Sequence, residues 1–204
     1  SDVCSSDLVD TDVTALCTDD ESPALAAGLT DVGVESGRLA VCPARAPFER
    51  LARAKAPEAA RRFGALVEEA AGSFDHVLVD VPPVAANQAV AAVTTTDRTA
   101  LVAPDTPRGH DGLARGRDRL ADVGAPDPET VLTFVEGDAG AAPDGATAAV
   151  VESDATAPSA VPTCREGEGP FVASVAATCE ALLDESLSVE PAETGVLDRV
   201  GLGN

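Results

Sequence analysis

The chain has 204 residues and a formal net charge of −21, with 35 acidic against 14 basic side chains. Because 45% of its residues are apolar, it is not a disordered acidic chain, and one domain with a sizeable core is expected. This composition is typical of folded proteins from a salt-rich cytoplasm, and the lack of a basic stripe argues against a broad nucleic-acid surface.

The predicted elements alternate between strands and helices along the chain. Strands are predicted at 9–12, 38–42, 77–80, 99–103, 131–135 and 148–151. Helices are predicted at a short segment opened by Pro23 and at 48–71, 84–96, 107–123 and 170–184. This alternation predicts an α/β fold with a doubly wound, largely parallel sheet.

The stretch from Phe74 to Pro83 reads Phe-Asp-His-Val-Leu-Val-Asp-Val-Pro-Pro. Its short apolar run predicts a buried parallel strand that ends at Asp80, because the two prolines cannot continue a ladder. A carboxylate at the end of such a strand suits Mg²⁺ held through water beside phosphates. A cap on the following helix explains the same aspartate equally well.

This stretch resembles the Walker B segment of the ParA/MinD family of P-loop ATPases. Leu8-Val9-Asp10-Thr11-Asp12 resembles the family's apolar-Asp-x-Asp strand end, and Arg98 to Pro104 is similar to the strand after its second switch. The resemblance covers about residues 8 to 184. The sequence departs from the family in one respect, since it contains no Gly-rich loop ending in Lys-Thr or Lys-Ser.

The first residues suggest a reason for that departure. Ser1 to Leu8 back-translates as TCAGACGTGTGCTCTTCCGATCT, which looks like a short-read sequencing adapter. We therefore expect residues 1–8 to be a translated scar, 9–184 to be a partial nucleotide-binding domain without its first strand and phosphate loop, and 185–204 to be a polar tail. An opening or a distorted pairing is then expected beside the 77–80 strand.

The resemblance also implies site residues, cofactors and partners. Asp80 would hold Mg²⁺ through water with support from Asp10, and Asp12 would orient the attacking water. Glu152 and Ser153 would lie beside the adenine of ATP. The intact parent would form an ATP-bound homodimer that acts as a switch in chromosome partitioning or cell division, whereas this fragment is predicted to be inactive.

Several alternatives stay open. A catalytically inactive scaffold or adaptor would keep the same fold, and a GTP-using or iron–sulfur relative would need motifs that the sequence lacks. The basic side chains between Phe48 and Ala71 read as a solvated helix face rather than a partner contact. Four of the cysteines, at positions 17, 42, 164 and 179, are interpreted as small hydrophobic residues. No signal peptide, membrane span or membrane anchor is evident in the sequence, so a cytoplasmic protein is expected.

Overall fold

The computed structural model describes residues 11–19, 23–34, 37–45, 48–82, 86–136, 142–153, 164 and 169–187. The chain falls into two compact units, one made of residues 1–99 and 116–127 and the other of residues 100–115 and 128–204. Within the described ranges, no helix combines the length and the apolar character needed to cross a bilayer.

The described helices and strands agree in part with the predicted ones. In chain order they are α1 (Val13–Thr18), a 3₁₀ turn (Leu25–Gly28), β1 (Thr30–Val32), β2 (Leu39–Val41), α2 (Phe48–Ala54), α3 (Pro57–Ala71), α4 (Asn87–Thr95), β3 (Ala100–Pro104), α5 (Pro107–Asp122), β4 (Glu129–Val135), β5 (Ala148–Val151) and α6 (Pro170–Leu183). The architecture is mixed α/β, with a three-stranded parallel sheet flanked by helices.

The core of the first unit lies between α1, the 3₁₀ turn and α3. Leu16 is fully buried and packs with Leu25 and Leu66, while Cys17 and Cys42 border this cluster. Apolar residues recur on one side of α3 at helical spacing, and this is the side that packs against α1. Burial of this kind, rather than the helix propensity of the six-residue α1, stabilises the short helix.

The first unit differs from the prediction in several details. The predicted helix 48–71 is two helices, because Pro57 has no backbone N–H and begins a new helix at its first position. The predicted strand 38–42 is confirmed as β2, but it pairs antiparallel with β1, which the sequence pattern did not predict. β1 has only three residues and two of them are exposed, so it carries no apolar signal.

The prediction of a buried strand at 77–80 is wrong. Residues 76–82 are described but belong to no ladder, and 80% of the surface of Leu78 is exposed. An extended apolar run becomes a strand only where a neighbouring strand can pair with its backbone, and none of the described strands does so. Because no strand forms at 77–80, the expected opening or distorted pairing beside such a strand stays a prediction.

The second unit contains the parallel sheet, in the order β3-β4-β5. The middle strand β4 buries Thr130, Val131 and Leu132, whereas Val102 on β3 is 64% exposed. α6 packs against β5, and the buried Ser174 accepts a hydrogen bond from Val151 N at 3.2 Å. Because the strands are parallel, their carboxyl ends lie along one edge of the sheet.

Candidate functional site

Asp12 is held at the start of α1 in the first unit. Its Oδ1 accepts a hydrogen bond from Ala15 N at 2.7 Å, and its Oδ2 accepts one from Arg45 N at 2.7 Å. The residue is 5% exposed and occupies the N-cap position of α1. Both carboxylate oxygens therefore accept backbone hydrogen bonds, which is how an N-cap aspartate stabilises a helix.

The two predicted metal ligands, Asp80 and Asp10, are not placed beside Asp12 by any described contact. Asp80 is exposed in the segment 76–82, which belongs to no described strand ladder, and Asp10 lies outside the described residues. In the part of the chain that is described, no group of three or more His, Cys, Asp or Glu side chains could hold a metal ion.

The loop that follows α1 is tied to α3. Arg62 Nη2 donates to Pro23 O at 2.7 Å, and Glu69 Oε1 accepts from Leu25 N at 3.1 Å. Burial raises the pKa of the Cys17 thiol to about 11 and that of the Cys42 thiol to about 11 as well. Both thiols are therefore protonated at neutral pH, and their surroundings are those of a structural core rather than of a nucleophile.

The second unit places the remaining predicted residues at the carboxyl edge of its sheet. Glu152 and Ser153 directly follow β5, where Glu152 is exposed and Ser153 is half-buried. In open α/β sheets, ligands bind outside the carboxyl ends of the strands. The position of these two side chains is therefore one at which a ligand could be held.

The start of α5 lies at the same edge. Thr106 Oγ1 accepts from Gly109 N at 3.1 Å and so caps the helix, while His110 Nε2 lies 2.8 Å from Asp105 Oδ1. Asp105 N donates to Thr133 O at 2.9 Å, which joins the end of β3 to β4. The Asp105–His110 pair had no predicted role, because the two residues are five apart and belong to no familiar motif.

Phe134 is a further residue at this edge that the sequence did not single out. Its φ of 59° lies in the left-handed region, and 62% of its surface is exposed. The register of β4 against β5 shifts between Thr133 and Val135, so Phe134 occupies an irregularity in the ladder. An irregularity of this kind re-aims a side chain and is common next to binding sites.

The predicted site residues thus fall into two groups, with Asp12 and Asp80 in the first unit and Glu152 and Ser153 in the second. No protein-family description, curated protein or solved structure matches this chain.

Proposed function

We propose that this chain is part of a ParA/MinD-type ATPase, an ATP-dependent dimerisation switch that positions or partitions a cargo. One observation carries the proposal: β3, α5 and β4 form a strand–helix–strand unit with parallel neighbouring strands, and β5 adds a third parallel strand. We also propose that the complete sheet is doubly wound, as in such an ATPase, and the three parallel strands support this.

Two sequence segments in the first unit support the same function. The Asp-x-Asp and Asp-x-Pro-Pro segments contain Asp12 and Asp80, the residue types that the resemblance assigns to water and metal. In the ATPase, Asp80 requires a ladder partner that would fix its backbone, because 76–82 is unpaired among the described residues. Asp12 accepts one backbone hydrogen bond on each carboxylate oxygen, so it would orient a water molecule through a remaining lone pair.

A catalytically inactive adaptor with the same fold is the second candidate. It is favoured by the contacts of Asp12, since a carboxylate whose two oxygens both accept backbone N–H groups already has a complete structural role. The two candidates differ in what Asp80 does. In the switch its carboxylate is needed for turnover, whereas in the adaptor it is a solvated side chain.

The deciding experiment begins with the genomic codons upstream of Leu8. A Gly-rich loop ending in Lys-Thr about one strand–helix unit upstream favours the switch, and an in-frame start without such a loop favours the adaptor. The extended protein is then assayed for Mg²⁺-dependent ATPase activity. Asp80→Asn should lower kcat by at least about 100-fold, because phosphoryl transfer depends on positioned charge.

Asp75→Asn is the matched control, because Asp75 is an exposed aspartate on the same stretch, five residues before Asp80. It should leave kcat within about twofold of the unmodified protein. Equal effects of the two substitutions would contradict the assigned role of Asp80. The 204-residue chain itself should not hydrolyse ATP, since its sequence has no phosphate loop, and measurable turnover by the purified chain would contradict this.

A further inference from the structure

The segment 76–82 has the alternation of a strand but no partner strand. Its even-numbered residues are exposed, with Leu78 at 80%, whereas its odd-numbered residues are half-buried. A period of two residues is that of an extended chain with one side against the protein. None of the described strands pairs with this segment, and residues 77–82 form no hydrogen bond with the described residues. Its backbone N–H and C=O groups are therefore open to another chain.

The residues of this segment do not block the addition of a strand. Exposed edge strands commonly contain Lys, Pro or a bulge that prevents pairing with another chain. Residues 76–81 contain no Lys, Pro or Gly, and three of the six are valines, which favour strands. Among the large apolar side chains that the structure describes as exposed, Leu78 is the most exposed. An added strand with an apolar residue opposite Leu78 would remove that surface from water.

The order of the residues makes the segment complementary to itself. Two copies related by a two-fold axis pair antiparallel, and residues directly opposite each other have their side chains on the same face. With the axis at Leu78, each Leu78 lies opposite its mate, and His76 lies opposite Asp80 of the second copy. An imidazole N–H donates to a carboxylate whether or not the ring is protonated, so each His76–Asp80 pair contributes a hydrogen bond in either state.

Other two-fold registers suit the same residues less well. An axis at Val79 places Leu78 opposite Asp80, and an axis at Val77 places it opposite His76, so the exposed leucine loses its apolar partner. Cross-strand pairs of this kind are what stabilise one register over another. With the axis at Leu78, the other face also pairs well, because Val77 of each copy lies opposite Val79 of the second.

We propose that the segment 76–80 is an interface between two copies of this chain, which pair antiparallel about Leu78 without nucleotide. The inference goes beyond the proposed ATPase, because it concerns an open backbone edge rather than a nucleotide site. The net charge of −21 on each copy opposes association. Salt shortens the range of that repulsion, from about 10 Å at 0.1 M to about 3 Å at 1 M, so the dimer should strengthen as salt concentration rises.

Sedimentation equilibrium of the full chain without nucleotide measures this dimer. Because the interface is short, we expect a dissociation constant of about 10–100 µM in about 2 M KCl, and one at least about tenfold weaker in about 0.1 M KCl. Leu78→Asp places like charges opposite each other and should weaken the dimer at least about tenfold. Val102→Asp is the matched control, because Val102 is an exposed valine on β3, an edge strand of the described parallel sheet. It should leave the dissociation constant within about twofold.

A charge exchange and a cross-link test the register. His76→Asp should weaken the dimer about 3- to 10-fold, because two carboxylates then lie opposite each other, and adding Asp80→His should restore it to within about twofold. Leu78→Cys should form a disulfide-linked dimer with diamide beyond any in the unmodified chain, because residues on the axis have Cα atoms about 4.5–5.5 Å apart. Asp80→Cys should not, since its two copies lie about 14 Å apart along the strands.

Four results would overturn the inference. They are a chain that stays monomeric at about 200 µM in about 2 M KCl, a dimer that Leu78→Asp leaves intact, a dimer that Val102→Asp dissociates, and a charge exchange that restores nothing. A dimer that forms only with ATP would also contradict it and would belong to the proposed switch. The ATPase function is decided separately, by turnover of the extended protein and its Asp80 variant, so the two can fail independently.

Discussion

Replacing Gly109 by alanine tests how α5 turns away from the end of β3. A Cβ on Gly109 would clash with the carbonyl oxygen of Pro104 and lie 3.1 Å from its carbonyl carbon. Both are backbone atoms, so no side-chain rotation relieves the contact. The helix start or the strand end must therefore shift. The hydrogen bond that Gly109 N donates to Thr106 Oγ1, which caps the helix, opposes such a shift.

Gly112 provides the reference, because it lies on the same helix, is exposed and would place its Cβ within 4 Å of nothing. Gly112→Ala should stabilise the protein by about 0.5–1 kcal/mol, which is the helix-propensity difference. Gly109→Ala gains the same term but adds an overpacking cost of about 1–3 kcal/mol. The difference between the two variants therefore isolates the clash with Pro104.

Urea unfolding followed by far-UV circular dichroism measures both variants against the unmodified chain. Gly109→Ala should unfold at a lower urea concentration than Gly112→Ala, and at a lower or equal concentration compared with the unmodified chain. A Gly109→Ala protein as stable as Gly112→Ala would refute the reasoning, because it would mean that α5 does not approach the β3 end as closely as described.

Three further predictions concern the first unit and its pH response. Asp12→Ala should lower the free energy of unfolding by about 1–2 kcal/mol, because the N-cap is lost. Asp12→Asn should lower it by less, because an amide oxygen still caps the helix. An unfolding midpoint of Asp12→Ala equal to that of the unmodified chain would contradict the cap. Leu16→Ala should lower the free energy of unfolding by about 2–5 kcal/mol, because Leu16 is fully buried. Leu78→Ala should change it by about 0.5 kcal/mol or less, because Leu78 is exposed. The reverse order of the two effects would contradict the packing. Burial raises the Cys17 and Cys42 pKa values from 9.0 to about 11, so the unfolded chain loses these protons first. Stability should thus fall between about pH 9 and pH 11, and urea midpoints across that range should fall less in a double alanine variant.

Most elements could be predicted because their signals are local. Pro107 and Pro170 at the starts of α5 and α6 and the short apolar run of β5 are all signals carried by neighbouring residues in the chain. The antiparallel pairing of β1 with β2 was missed, because such pairing depends on a partner that the sequence of either strand does not specify. The left-handed conformation of Phe134 has no sequence signal either, since glycine or asparagine is the usual residue there.

The residues of the candidate site likewise differ in whether local or long-range contacts position them. Asp12 is positioned by a cap contact three residues away, so its carboxylate is fixed wherever α1 forms. Asp80 depends on a ladder partner for its segment, and with no described strand beside 76–82 its carboxylate is exposed rather than aimed. The Phe134 edge needs only the three parallel strands, which are present in the second unit. A catalytic test of Asp80 therefore requires a protein in which a neighbouring strand pairs with the 77–80 backbone.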